Sequence, residues 1–158
     1  MSNLTRSDVS VLVLFGSPAA GKDTVTGLLE DIGRFSLARR YKMGTGRTKG
    51  YVPVLKPEYD QLHQSGMVVS EVERYGNRYL LTSLELRRIS ESDRIAVVHT
   101  ASVDEYESLP DEWGRVLLLA SREATIARLI ARGDTDFVER LELYDLSLIH
   151  ISEPTRPY

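Results

Sequence analysis

The sequence predicts an α/β fold built on a parallel sheet. Three apolar runs, at 9–15, 95–100 and 115–120, have the length and content of fully buried strands. Amphipathic segments of helical spacing alternate with them, the pattern of a sheet covered by helices. A glycine-rich stretch joins the first run to the first amphipathic segment. The 158 residues, 42% hydrophobic and 27% charged, suit one globular domain and exclude a disordered or fibrous chain.

In chain order, 9–15 (VSVLVLF) is the first strand. A helix over 24–32 follows, because Val25, Leu28, Leu29 and Ile32 recur at i, i+3, i+4 and i+7 and Gly33 stops it. Pro57 opens a short helix with Tyr59 and Leu62 on one face, closed by Gly66. Residues 67–72 and 78–82 read as two strands around Tyr75-Gly76-Asn77, a hairpin. Thr82 and Glu85 have capping-box spacing and start another helix. The second buried strand is 95–100 (IAVVHT). Ser102 and Glu105 form a second capping box, for a helix that ends before Pro110. The third buried strand is 115–120 (RVLLLA). Ser121 caps a helix that places Ile126, Leu129 and Ile130 inside and ends at Gly133. Asp136 starts a last helix with Phe137, Leu141 and Tyr144 on one face.

Charge and residue usage narrow the function. Twenty Lys and Arg against 23 Asp and Glu leave a net charge of -3, so no nucleic-acid footprint is expected. The 9–15 run is too short to span a bilayer and no cleavage site follows it, so neither a membrane span nor a signal peptide is expected. The absence of cysteine excludes disulfides, thiolate metal sites and cysteine nucleophiles, and fits a cytoplasmic location. His63 and His99 stand without clustered ligands and read as structural, although His99 ends a strand where α/β sheets build their sites. Trp113 reads as packing, Arg87 and Arg88 as a solvated helix face, and the Asp134-Thr135-Asp136 stretch as a cap and lid turn.

Gly16-Ser17-Pro18-Ala19-Ala20-Gly21-Lys22 matches G-x-x-x-x-G-K between a buried strand and a helix, the context a phosphate loop requires. Such a loop turns backbone N–H groups toward phosphate oxygens, and the helix that follows adds its positive dipole end. Lys22 is then the mobile charge for the β- and γ-phosphates. The expected contact set is Gly16, Ser17, Ala19, Ala20, Gly21, Lys22, Asp23 and Thr24. The position after the lysine, ordinarily a Ser or Thr that binds Mg²⁺, is Asp23, with Thr24 one step later; either is a candidate Mg²⁺ ligand.

From about 11 to 145 the chain resembles the guanylate kinase family of P-loop kinases. The resemblance rests on the phosphate loop, on PEYDQLHQSGMVVSEVERYGNRYLLT and on IARLIARGDTDFVERL. It implies a three-layer P-loop kinase fold. A small acceptor-binding subdomain is inserted at about 35–82, and a lid lies at about 128–140. It implies ATP and Mg²⁺ as cofactors and Arg128, Arg132 and Arg140 as lid arginines that act with Lys22 in catalysis. Tyr51 and Tyr79 fall where family tyrosines hold the acceptor phosphate. Arg39 and Arg40, with Lys42 and Arg47, loosely echo the family's acceptor-phosphate arginines. The family's guanine-reading acid falls on Ser70, with Glu71 one position off, and no carboxylate follows the 95–100 strand at Ala101. The G-K-D loop and the Arg40-Tyr41 pair resemble ribose 1,5-bisphosphate phosphokinases.

The implied function is ATP-dependent phosphoryl transfer to a small phosphorylated acceptor, a nucleotide or a sugar phosphate. GMP is the default, ribose 1,5-bisphosphate the alternative, and a non-catalytic binding module the reading outside enzymes. A monomer or homodimer is expected. Residues 146–158 (LSLIHISEPTRPY) admit a strand and a turn-rich tail, but they resemble a sequencing adaptor translated in frame. A kinase-like domain over 1–145, truncated at its C-terminus and carrying a non-native tail, is therefore expected, with 115–120 left as an exposed apolar edge.

Overall fold

A computed structural model describes residues 10–152, with side chains through residue 146. Expectations that fall on Val9, or on the tail beyond 152, lie outside the described residues.

Two four-stranded sheets organise the chain. The first contains β1 (Val11–Phe15), β2 (Phe35–Leu37), β7 (Ile95–Thr100) and β8 (Gly114–Leu117), in the order β2-β7-β1-β8. Every pair in it is parallel, as the apolar runs predicted. The second contains β3 (Arg40–Met43), β4 (Tyr51–Pro53), β5 (Val68–Arg74) and β6 (Asn77–Thr82), in the order β4-β3-β6-β5. There β3 and β4 are parallel and the other pairs antiparallel. β2, β3 and β4 are short and were not foreseen.

The helices are α1 (Lys22–Asp31), α2 (Lys56–Gln64), α3 (Ser83–Glu91), α4 (Val103–Ser108), α5 (Arg122–Arg132) and α6 (Phe137–Ser152). Thr82, Ser102 and Ser121 cap α3, α4 and α5, each side chain accepting a backbone N–H three residues on. Gly133, at φ 66°, closes α5. α1 begins two residues before the expected Thr24. α6 continues through 146–152, so that part of the tail is helical and not a strand. Among the described residues no helix is long and apolar enough to cross a membrane.

The core lies on the first sheet. Val13, Ala96 and Val97 have no exposed surface, and Val11, Leu81, Leu86, Ile89, Leu109 and Trp113 pack into one cluster with Val13 and Ala96. Three expected core positions are exposed: Leu28 on α1, Ile32 at its C-cap, and Ile130 on α5. Only Thr26 is buried on α1, and only Thr125 and Leu129 on α5. Their helical periodicity holds, but no described element covers those faces. β8, read from composition as a buried strand and expected to become an apolar edge if the domain is truncated, is the sheet edge. Val116, Leu117 and, beyond the strand, Leu119 are exposed, and among the described residues β8 pairs with β1 alone.

Candidate active site

The C-terminal ends of β1 and β7, the two central strands, open into a cavity of about 780 Å³. This is where parallel α/β sheets bind ligands. Gly16 leaves β1 and donates its N–H to Thr100 O at 3.1 Å. A Cβ on Gly16 would stand 2.8 Å from Leu118 O, so the position admits glycine alone. Ala19, at φ 62°, takes a left-handed conformation that a residue with a Cβ rarely adopts, and Gly21 follows at φ 103°. Gly21 is the N-cap of α1 and no side chain caps the helix. The first N–H groups of α1 therefore lie at the cavity with no side-chain cap among the described residues, an arrangement suited to an anion.

Lys22 Nζ donates to Gly16 O at 2.6 Å and to Ser17 O at 2.9 Å. Burial lowers its pKa to about 7, and among charged neighbours Arg74 lowers it most. Burial pushes the Asp23 carboxyl up, but Arg47, at 3.1 Å, together with His99 and Lys22 holds the carboxyl below its ordinary range. His99 Nδ1 lies 3.8 Å from Asp23 Oδ1, and His99 Nε2 bonds Thr26 Oγ1 at 2.6 Å. Burial, then the Lys22 charge, lowers His99 to about 4, so the ring is neutral at pH 7.

The far wall comes from α5 and α6. Arg128 donates to Ala19 O at 2.8 Å, tying α5 to the phosphate loop. Arg132 lies 3.4 Å from Asp134, and Arg140 lies 2.6 Å from Asp136 and 3.7 Å from Asp134, so the 134–136 turn orients two arginines. The Arg140 guanidinium stacks over the Tyr75 ring at 4.5 Å, joining α6 to the β5–β6 turn. The second sheet supplies the remaining wall. The Tyr51 and Tyr79 rings stand 5.2 Å apart, and Lys42 Nζ lies 5.7 and 5.8 Å from them. Lys42 also donates to Thr45 O and Arg47 O, fixing the loop that carries Arg47 and Lys49.

The cavity thus gathers Ala19, Ala20, Gly21, Lys22, Asp23, Thr24, Arg40, Tyr51, Tyr79, Arg128, Arg132 and Arg140 from the expected set. Among the described residues, eight basic side chains line it (Lys22, Arg40, Arg47, Lys49, Arg74, Arg128, Arg132 and Arg140) against one carboxylate, that of Asp23. In a chain of net charge -3 this is a focused anion site. Gly16 and Ser17 shape the loop behind the cavity lining.

Four expected acceptor contacts are committed elsewhere. Arg39 pairs with Glu85, its Nε 3.7 Å from Oε1, and does not line the cavity. Arg40 lines it, but its guanidinium is buried against Glu105 at 2.6 Å and donates to His99 O. Ser70 is buried in the same network, donating to Glu105 Oε1 at 2.8 Å. Glu71, on the opposite face of β5, accepts from Tyr59 Oη at 2.6 Å and bonds His63 Nε2 at 2.8 Å. Neither Ser70 nor Glu71 lines the cavity. Arg74 and Tyr75, both lining the cavity, were missed. Strand alternation from Ser70 through Val72 would have put Arg74 on the inward face.

No family model matches the sequence, and no curated protein matches it. Among solved structures, the guanylate kinase from Anaplasma phagocytophilum is similar in fold. The TM-score is 0.61 at 16% identity, over 91% of this chain and 73% of that one. With the parallel sheet and helices, this shows a P-loop kinase fold of the guanylate kinase type.

Proposed function

We propose that the chain transfers the γ-phosphoryl group of ATP to the phosphate of a small acceptor. One observation carries the reading: phosphate loop, three lid arginines and a tyrosine pair converge on one cavity that, among the described residues, has eight basic side chains and one carboxylate. The N–H groups at the start of α1 and Lys22 hold the β- and γ-phosphates, Lys22 exchanging its bonds to Gly16 O and Ser17 O for bonds to phosphate. Tyr51 and Tyr79 hold the acceptor. One of its phosphate oxygens is already a nucleophile at neutral pH, so no base is needed. As its bond to the γ-phosphorus forms, the bond to the β,γ-bridging oxygen breaks and ADP leaves with the electron pair. Arg128, Arg132 and Arg140 stabilise the charge spread over the equatorial oxygens.

The residues present fit a Mg²⁺ ion held by one carboxylate and substrate phosphates, since Asp23 is ionised and lies at the loop; Thr24 is the second candidate ligand. Bound there, the ion would neutralise charge on the β- and γ-phosphates. Asp23→Ala is expected to raise the Mg²⁺ requirement; unchanged Mg²⁺ dependence would remove Asp23 from that role.

GMP is the default acceptor from the resemblance. A second reading, a sugar bisphosphate such as ribose 1,5-bisphosphate, is favoured by the second-sheet wall of the cavity. That wall carries Arg47, Lys49, Tyr51, Arg74, Tyr75 and Tyr79 and, among the described residues, no carboxylate or amide side chain to accept from guanine N–H groups. Coupled ADP release over nucleoside monophosphates and ribose 1,5-bisphosphate tests both. Turnover with one acceptor selects its reading. ATP binding without turnover on any acceptor would make the chain a phosphate-recognising module. ATP at about a hundred times its Kd should stabilise the fold by about 2.7 kcal/mol. No stabilisation would sink the kinase reading.

A further inference from the structure

Of the cations on the acceptor side, most are already spent. Arg40 is paired with Glu105, Arg47 with Asp23, and Lys42 with two carbonyls of its own loop. Lys49 is exposed and solvated. Arg74 is different. It sits at the last position of β5, opposite Asn77 and one step before the Tyr75-Gly76 turn. Among the described residues its guanidinium makes no hydrogen bond or ion pair, and its Nε is buried without any partner. What holds it is the Tyr79 ring, whose centroid lies 5.8 Å from Cζ.

A buried N–H with no acceptor is disfavoured, and native structures rarely keep one without a use. This one lines the cavity, lies over a tyrosine of the acceptor side, and acts on Lys22 more strongly than any other charge there. Arg74 therefore stands where the donor and acceptor halves meet. A planar guanidinium in such a place suits bidentate contact with phosphate.

We propose that Arg74, stacked on Tyr79 at the junction of the two halves of the cavity, anchors the reacting phosphate of the acceptor beside the γ-phosphate of ATP. The inference rests on the phosphoryl-transfer reading above. It names the phosphate monoester of the acceptor, and not a base or sugar hydroxyl, as the group that this wall recognises.

The test titrates inorganic phosphate by calorimetry into protein saturated with a non-hydrolysable ATP analogue, so that the donor half is filled. Arg74→Met keeps the stem over Tyr79 and removes the charge; Arg74→Lys keeps the charge and loses the fork. Arg74→Met is expected to weaken phosphate binding at least tenfold, a larger loss than that of analogue affinity, and Arg74→Lys to recover part of the loss. Arg74→Gln replaces Arg74→Met if the latter does not fold. Unchanged phosphate affinity in the neutral variant would overturn the proposal, as would wild-type protein that takes the analogue but not phosphate. Wild-type protein that fails to bind the analogue would refute the kinase reading. The same phosphate titration of the free protein would then decide Arg74 separately.

Discussion

Replacing Glu105 by Gln should expose how the two sheets are held in register. Arg40, on β3 of the second sheet, and Glu105, on α4 beside the first, form an ion pair at 2.6 Å with 6% and 2% of their side chains exposed. Ser70 on β5 and the carbonyl of His99 on β7 complete the network. At an effective dielectric constant of about 20 the attraction is roughly 6 kcal/mol at this distance. Removing two ions from water takes back most of that, so the pair itself adds little net stability. Glu105→Gln keeps the shape and deletes one charge, leaving the Arg40 cation buried and unpaired. The expected loss is about 3 kcal/mol or more, which at this chain length lowers Tm by roughly 6–12 °C. Urea unfolding followed by circular dichroism measures it. The double replacement Arg40→Met with Glu105→Leu should recover most of the loss, since no charge remains buried. A loss under about 1 kcal/mol in Glu105→Gln, or a double variant no better than the single, would refute the reasoning.

Other consequences can be measured separately. The folded pKa of His99, about 4, lies below its ordinary 6.5, so the unfolded chain binds the extra proton between those values. Stability is present above pH 6.5, falls as pH drops to about 4, and levels off below, by roughly 3 kcal/mol in all. His99→Asn should flatten that part of the profile, and a wild-type-minus-variant difference constant with pH would contradict it. Lys22, at about 7 without ligand, is mostly neutral at pH 8, and bound phosphates restore its charge. ATP binding at pH 8 should therefore take up close to one proton, read by calorimetry in buffers of different ionisation enthalpy; Lys22→Met should abolish the uptake. Tyr75→Ala removes the stacking partner of Arg140. Amide exchange over residues 134–140 should quicken roughly two- to fivefold, for about 0.5–1 kcal/mol; unchanged exchange would show that the contact holds nothing. Val116→Lys places a charge on the open β8 edge and should reduce light scattering at high protein concentration, with little change in the unfolding midpoint.

Much of the architecture was legible because burial left a mark on composition. β1 and β7 are central in the first sheet, and their apolar runs are what such strands require. The phosphate loop was legible because its spacing is fixed by a turn and a helix start; Arg128, Arg132 and Arg140 were expected from the resemblance, and all three line the cavity. β3 was not, since Arg40 and Lys42 point inward and reverse the usual polarity of a strand. Each is tolerated because oxygen partners arrive from distant or looped segments: Glu105 for Arg40, and Thr45 O and Arg47 O for Lys42. The same reason explains Ser70 and Glu71. Their residue types suit a base reader, but which partner claims each is decided by tertiary packing against Glu105, Tyr59 and His63. Leu28, Ile32 and Ile130 show the converse, a correct helical face with no described element over it. Arg74 carried only a charge and a place on a strand, and its role depends on what it fails to meet.

The single tryptophan of the chain gives the molecule two optical reporters. Trp113 is buried in the core cluster, away from the cavity, while Tyr51, Tyr75 and Tyr79 line it. Indole emission will follow the melting of the first sheet and be indifferent to occupancy of the pocket. Ultraviolet difference spectra of the phenols will follow ligand entry before anything unfolds. Recorded together on one sample, the two chromophores separate a variant that has lost its ligand from one that has lost its fold.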